Sequence, residues 1–101
     1  MGILSNIFGG GSAQMAEFKE RGAVVVDVRT PGEFGGGHVK GSKNIPLQSI
    51  QNRIDEISKM NKPVILCCAS GMRSGQATSI LKNAGVECIN GGSWTKVNQL
   101  Y

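Results

Sequence analysis

Long apolar runs, clustered basic residues and a cysteine framework are all missing from this sequence, and each absence removes a class of function. No segment approaches the ~20 consecutive apolar residues of a membrane-spanning helix, so no membrane partner is expected. Only 3 cysteines occur in 101 residues, and two of them are adjacent, Cys67 and Cys68. Three thiols cannot form a tidy disulfide set, a vicinal bridge would strain the backbone, and short secreted chains are usually richer in cysteine. A reducing compartment and a cytoplasmic location are therefore expected. The 11 basic residues are scattered singly, with a net charge of +4, which leaves no nucleic-acid stripe and no polybasic membrane patch. The mild positive balance still favours small anionic substrates. Histidine is nearly absent too. His38 is alone and has no second ligand at useful spacing, so a loop-bracing role is favoured over a metal site. Prolines number only 3 and hydrophobic residues reach 40%, the composition of an ordinary folded domain.

Glycine is plentiful, at 15 residues. It falls at the N-terminus, in the run Gly35-Gly36-Gly37 and at loop ends, where tight turns need it. The first residues are apolar but lack the basic n-region and the h-region length of a signal peptide, and Asn6 stands where a myristoylation pattern wants Ser or Thr. Ile3, Leu4, Ile7 and Phe8 have helical spacing, so residues 1–11 are expected to form a leader, either flexible or docked on an edge.

Beyond that leader, helix and strand signals alternate. Ser12 is a candidate N-cap for a helix through Arg21, with Gly22 as its stop. Ala23-Val24-Val25-Val26-Asp27 is a continuous β-branched run, the pattern of a strand buried on both faces. Residues 28–42 read as a loop with one helical turn after Pro31. Lys43 to Pro46 suggests a short strand, and Ile50, Ile54 and Ile57 make one apolar stripe on a helix over Leu47 to Ser58. Val64 to Cys67 is a second buried strand. Ser74 is a candidate cap for the next helix, with Ala77, Ile80, Leu81 and Ala84 facing inward and Gly85 closing it. Val86 to Asn90 reads as a last strand, Gly91-Gly92 as a turn and Ser93 onward as a final helix. This alternation predicts an α/β fold with a parallel sheet covered on both faces.

The chemistry concentrates at Cys68-Ala69-Ser70-Gly71-Met72-Arg73, between a buried strand and a helix. Function in open α/β sheets collects outside the carboxyl ends of strands. A strand–loop–helix junction there aims backbone amides and a helix dipole at whatever occupies the loop, and such donors favour an anion. A thiol in that concavity should ionise below the free value of about 8.5. Gly71 permits the tight turn, and Arg73 adds a planar cation facing the same space. The bland readings are a buried structural thiol for Cys68 and a surface helix residue for Arg73. A first-turn arginine opposes the helix dipole unless an anion is near, which argues against the second. Strand alternation turns Cys67 away from Cys68, so Cys67 reads as core, as does Cys88. Asp27, Arg29 and Glu33 are candidates either for touching substrate or, the favoured reading, for a hydrogen-bonded frame around the loops.

The spacing Cys-x4-Arg followed by Ser74 resembles the active loop of the rhodanese family, whereas cysteine-dependent phosphatases use Cys-x5-Arg. Two further segments are similar to that family: Asp27-Val28-Arg29-Thr30-Pro31-Gly32-Glu33-Phe34, and Gly37-His38-Val39-Lys40-Gly41-Ser42-Lys43-Asn44-Ile45-Pro46. The pair Gly91-Gly92 matches as well, although Trp94 follows it sooner than in typical members. The resemblance covers residues 12 to 94 and implies a rhodanese-like domain over 12–101, built on a mostly parallel sheet of about five short strands with helices on both faces. It also implies a sulfurtransferase with Cys68 as nucleophile. Ala69, Ser70, Gly71, Met72, Arg73 and Ser74 would bind the substrate, and Asp27, Arg29, Glu33 and His38 would frame the loops. The implied route is a Cys68 persulfide, formed from thiosulfate or a persulfide donor and drained by cyanide, a small thiol or a protein cysteine. It uses no metal and no organic cofactor. A monomer is expected. The alternatives are a sulfur-relay module serving a protein persulfide partner, and a cysteine-dependent phosphatase or arsenate reductase, which the short loop disfavours.

Overall fold

Val24, Val25 and Val26 lose little by being held extended, and with Asp27 they form β1 (Val24–Asp27) at the centre of a parallel sheet. The coordinates are a computed structural model that describes residues 11–101. The expected leader over residues 1–11, Gly11 apart, lies outside the described residues. The elements in order are α1 (Gly11–Glu20), β1, α2 (Pro31–Gly35), β2 (Lys43–Asn44), α3 (Leu47–Ile50), a 3-10 turn (Gln51–Arg53), α4 (Ile54–Lys59), β3 (Val64–Cys68), α5 (Met72–Asn83), β4 (Cys88–Ser93) and α6 (Trp94–Asn98). None of these helices is long and apolar enough to cross a membrane.

The sheet among the described residues has four strands where about five were expected, in the order β2-β1-β3-β4, and every pair is parallel. Parallel strands alternate their side chains between two covered faces. One face carries Val26, Val28, Leu66 and Cys68 and packs on Ile50, Ile57, Ala77 and Leu81 of α3, α4 and α5. The other carries Val25, Ile65, Cys67 and Ile89 and packs on Met15 and Phe18 of α1 and Val97 of α6. Neighbouring Cys67 and Cys68 thus belong to opposite cores.

Four local expectations need correction. Helix α1 already includes Ser12, which therefore does not cap it. The helix expected over Leu47 to Ser58 is interrupted, because Arg53 leaves helical backbone geometry at φ −119° and ψ 18°. Ile50, Ile54 and Ile57 still reach one cluster, so the interruption preserves the apolar stripe. Ser74 does not cap α5 either: the helix starts two residues earlier, with Gly71 as N-cap at φ +103°. Finally, Gly91 and Gly92 are not a turn but part of β4. Leu66 pairs with Asn90 while Cys67 pairs with Gly92, leaving Gly91 as the extra residue of a bulge. A Cβ on Gly91 would lie 2.6 Å from a Val97 methyl and 2.8 Å from an Ile65 methyl. Overpacking of that kind costs about 1–3 kcal/mol, so Gly91→Ala is expected to lower the urea midpoint by a corresponding amount without changing the m-value.

Candidate active site

The chain runs from β1 outward to edge strand β2 and returns to place β3 on the other side of β1, so the connections diverge between β1 and β3. Such a divergence opens a crevice beyond the carboxyl ends of the two strands. Asp27 ends β1 and Cys68 ends β3, and the pairing of Asp27 with Cys67 puts both strand ends at one level.

Cys68 closes a short circuit with the helix it precedes. Its Sγ accepts the Gly71 amide at 3.0 Å, the Ser74 amide at 3.4 Å and the Ser74 hydroxyl at 3.4 Å. Ser74 is the third residue of α5, and the third amide is the one that a capping side chain normally satisfies. Gly71 offers no side chain for the purpose, so the cysteine sulfur takes the place of the capping oxygen. This arrangement rewards negative charge on the sulfur. Burial pushes the Cys68 thiol up, but the Ser74 hydroxyl, the Ser74 and Gly71 amides and the Ser70 amide outweigh it and hold the thiol below its ordinary value. Burial drives the other two the opposite way, Cys67 up to about 12 and Cys88 up to about 11.

Asn90 is the residue that sequence reasoning missed. Its Nδ2 donates to the Gly71 carbonyl at 3.0 Å, and its Oδ1 accepts the Gly92 amide at 3.0 Å and the Ser74 hydroxyl at 2.7 Å. One carboxamide thereby fixes the left-handed Gly71, the bulge of β4 and the hydroxyl that reaches Cys68. The signal was an asparagine inside a strand, a place this residue type avoids unless its amide is used. The Ser74 hydroxyl has a single hydrogen, so its donation to the sulfur competes with donation to Asn90.

The remaining expected site residues fall into three groups. Ala69, Ser70 and Met72 are exposed around the mouth of the loop, Met72 at 76%, whereas Cys68 lies on its floor and is fully buried. Arg73, expected to face the sulfur, is paired with a carboxylate. Its two terminal nitrogens contact both carboxylate oxygens of Glu33 on α2, at 2.8 and 3.1 Å. The third group is the frame. The buried Asp27 carboxylate receives the Arg29 amide at 3.0 Å, Nε at 2.9 Å and a terminal nitrogen at 2.7 Å. Arg29 also donates to the Gly37 carbonyl at 2.7 Å and lies over Trp94, 4.8 Å from the ring centroid. His38 braces its own loop: Nδ1 pairs with the Phe34 carbonyl at 2.8 Å and the ring stacks on Phe34 with centroids 3.7 Å apart.

These environments differ enough to be told apart by alkylation. A small haloacetamide near neutral pH is expected to label one thiol per chain, Cys68, because all three are buried but only Cys68 is held below its ordinary value, while Cys67 and Cys88 are pushed up and stay un-ionised. In Ser74→Ala the pH profile of that labelling should move to higher pH, since a donor to the thiolate is gone. An unmoved profile would show that the amides alone hold the charge.

The family model described as Rhodanese-like domain matches residues 12–99. The uncharacterized protein YqhL of Bacillus subtilis is 46% identical over 65 residues, covering 64% of this chain and 51% of that protein. The chain thus spans about half the length of that relative. Thiosulfate sulfurtransferase GlpE of Ectopseudomonas mendocina is 34% identical over 82 residues, covering 78% of this chain and 74% of that one. Among solved structures, reduced Bacillus anthracis CoADR-RHD superposes with a TM-score of 0.71 at 32% identity, over 83% of this chain and 15% of that one.

Proposed function

Because this chain belongs to the rhodanese-like domain family, we propose that it is a sulfurtransferase that carries a sulfane sulfur on Cys68. The observation that supports this most directly is the Cys68 sulfur seated as the N-terminal cap of α5, with two amides and a hydroxyl aimed at it. The thiolate attacks the outer sulfur of thiosulfate or of a persulfide donor. An Sγ–S bond forms while the donor's S–S bond breaks, and sulfite or a thiolate leaves with the electron pair. The terminal sulfur of the new persulfide keeps a negative charge, and the amides of residues 69 to 73 would hold it. A thiophilic acceptor (cyanide, a small thiol or a protein cysteine) then takes that sulfur, and the Cys68 thiolate is restored. The electron pairs balance between donor, Cys68 and acceptor, so the cycle calls for no cofactor.

Phosphoryl transfer is the weaker reading. It needs a guanidinium free to hold three equatorial oxygens, and both terminal nitrogens of Arg73 are committed to Glu33. The test is the intact mass of the reduced chain after incubation with thiosulfate. A gain of about one sulfur atom (~32 Da), removed by cyanide, is the result expected of covalent catalysis. A folded protein that gains no mass from thiosulfate but does so from a protein persulfide would instead be a relay module. One that gains no mass from either donor and hydrolyses an aryl phosphate would overturn the assignment.

A further inference from the structure

The first turn of α5 places Arg73 where the helix dipole opposes a cation, so this residue calls for an anion. Two anions can answer: a substrate, or one supplied by the chain. The chain supplies one. Glu33 meets Arg73 side by side, two oxygens to two nitrogens, the geometry in which a guanidinium is most fully satisfied. Nor is the carboxylate free to drift. Glu33 is the third residue of α2, and its Oε1 accepts the Thr30 amide at 3.0 Å and the Thr30 hydroxyl at 3.1 Å, while the Thr30 hydroxyl accepts the Glu33 amide at 3.2 Å. This reciprocal cap holds the carboxylate in place whether or not Arg73 comes to it. Both side chains remain more than a third exposed, so the pair sits at the rim, where an incoming donor encounters it.

From this arrangement we infer that Glu33 is a specificity-determining residue: it cancels the charge of Arg73 at the rim and steers the site toward sulfur donors of low charge, such as persulfides and thiosulfonates, over the dianion thiosulfate. The inference rests on the sulfur-transfer reading above and names the donor class for that same site. A dianion brought to a neutralised rim gains little and must compete with a carboxylate already in place. A donor with one charge or none loses less by the same neutralisation, because the interaction scales with the product of the charges.

Glu33→Gln separates charge from structure, since glutamine also completes a capping box. The experiment measures kcat/KM of the full chain with cyanide as acceptor and two donors, thiosulfate and the monoanion benzenethiosulfonate. Removing one negative charge several ångströms from the donor should raise kcat/KM about tenfold for thiosulfate and about threefold for the thiosulfonate, mainly through KM. Added salt should shrink the thiosulfate gain. Arg73→Ala, which leaves Glu33 uncompensated, should lose more on thiosulfate than on the thiosulfonate, and adding Glu33→Gln to it should recover most of that loss. If Glu33→Gln changes both donors by the same factor, or lowers both, Glu33 is part of the frame only and the inference is wrong, with sulfur transfer untouched. If no variant gains sulfur mass from either donor, the underlying reading has failed instead, and the inference falls with it.

Discussion

Cys68→Ser should give a folded protein, as stable as the parent, that takes no sulfur from thiosulfate and has lost at least about a thousandfold of its transfer rate. The two halves of this expectation come from the same contacts. Sγ is the acceptor for the Gly71 and Ser74 amides at the start of α5, and a serine oxygen is a good acceptor in a capping role. The substitution therefore removes no hydrogen bond that the fold needs. What it removes is ionisation. The Ser74 hydroxyl and the loop amides hold the Cys68 thiol below its ordinary value and so favour the thiolate, but they cannot ionise a hydroxyl, and among the described residues no base is hydrogen-bonded to Cys68. Thermal or urea unfolding, read beside the sulfur mass gain, checks both halves at once. Retained transfer would move the nucleophile elsewhere. Lost folding would mean that the sulfur has a packing role in the core it shares with Leu66 and Ala77, one that oxygen cannot fill.

How much of this was legible in the sequence depends on the range of the interaction. The strand cores were plain because burial on both faces leaves an unbroken apolar run, as in Val24–Val26 and Val64–Leu66. The loop from Cys68 to Arg73 was plain because its parts are adjacent in the chain. The placement of Cys67 and Cys68 in opposite cores also follows from local geometry alone. What the pattern missed is held by contacts across the fold. Ser74 looked like a cap because serines often are; it became an interior donor because Gly71, in a left-handed conformation, started the helix sooner. Asn90 sits 16 residues from Ser74 and 19 from Gly71, so nothing near it in the chain shows what its amide would hold. Arg73 was expected to face the sulfur, and its partner Glu33 lies 40 residues away. The glycine pair read as a turn because glycines favour turns, whereas in the fold Gly91 is required by the Val97 and Ile65 methyls that press on it.

The largest effect on stability should come from Asp27→Ala. Asp27 is fully buried and Arg29 is only 4% exposed, so the pair has little water to fall back on. With the carboxylate present, Arg29 is fixed by Asp27 on one side and by the Gly37 carbonyl on another, and its pKa is raised by the hydrogen bonds it donates to Asp27. Without it, a guanidinium that cannot shed its charge stays buried against the Trp94 ring with only carbonyl oxygens for partners. Removing one partner of a buried pair costs about 3–5 kcal/mol, a large part of the roughly 5–15 kcal/mol that holds a domain of this size together. The variant should therefore unfold at a much lower urea concentration, and its activity should fall with its folded fraction. A second substitution identifies the cause. If the uncompensated charge is what costs, Asp27→Ala combined with Arg29→Met should be more stable than Asp27→Ala alone, because an apolar side chain of similar length leaves nothing unpaired. If the double variant is instead the sum of its parts, the cost lies elsewhere in the cavity at the end of β1, and the pair contributes to the frame no more than its shape.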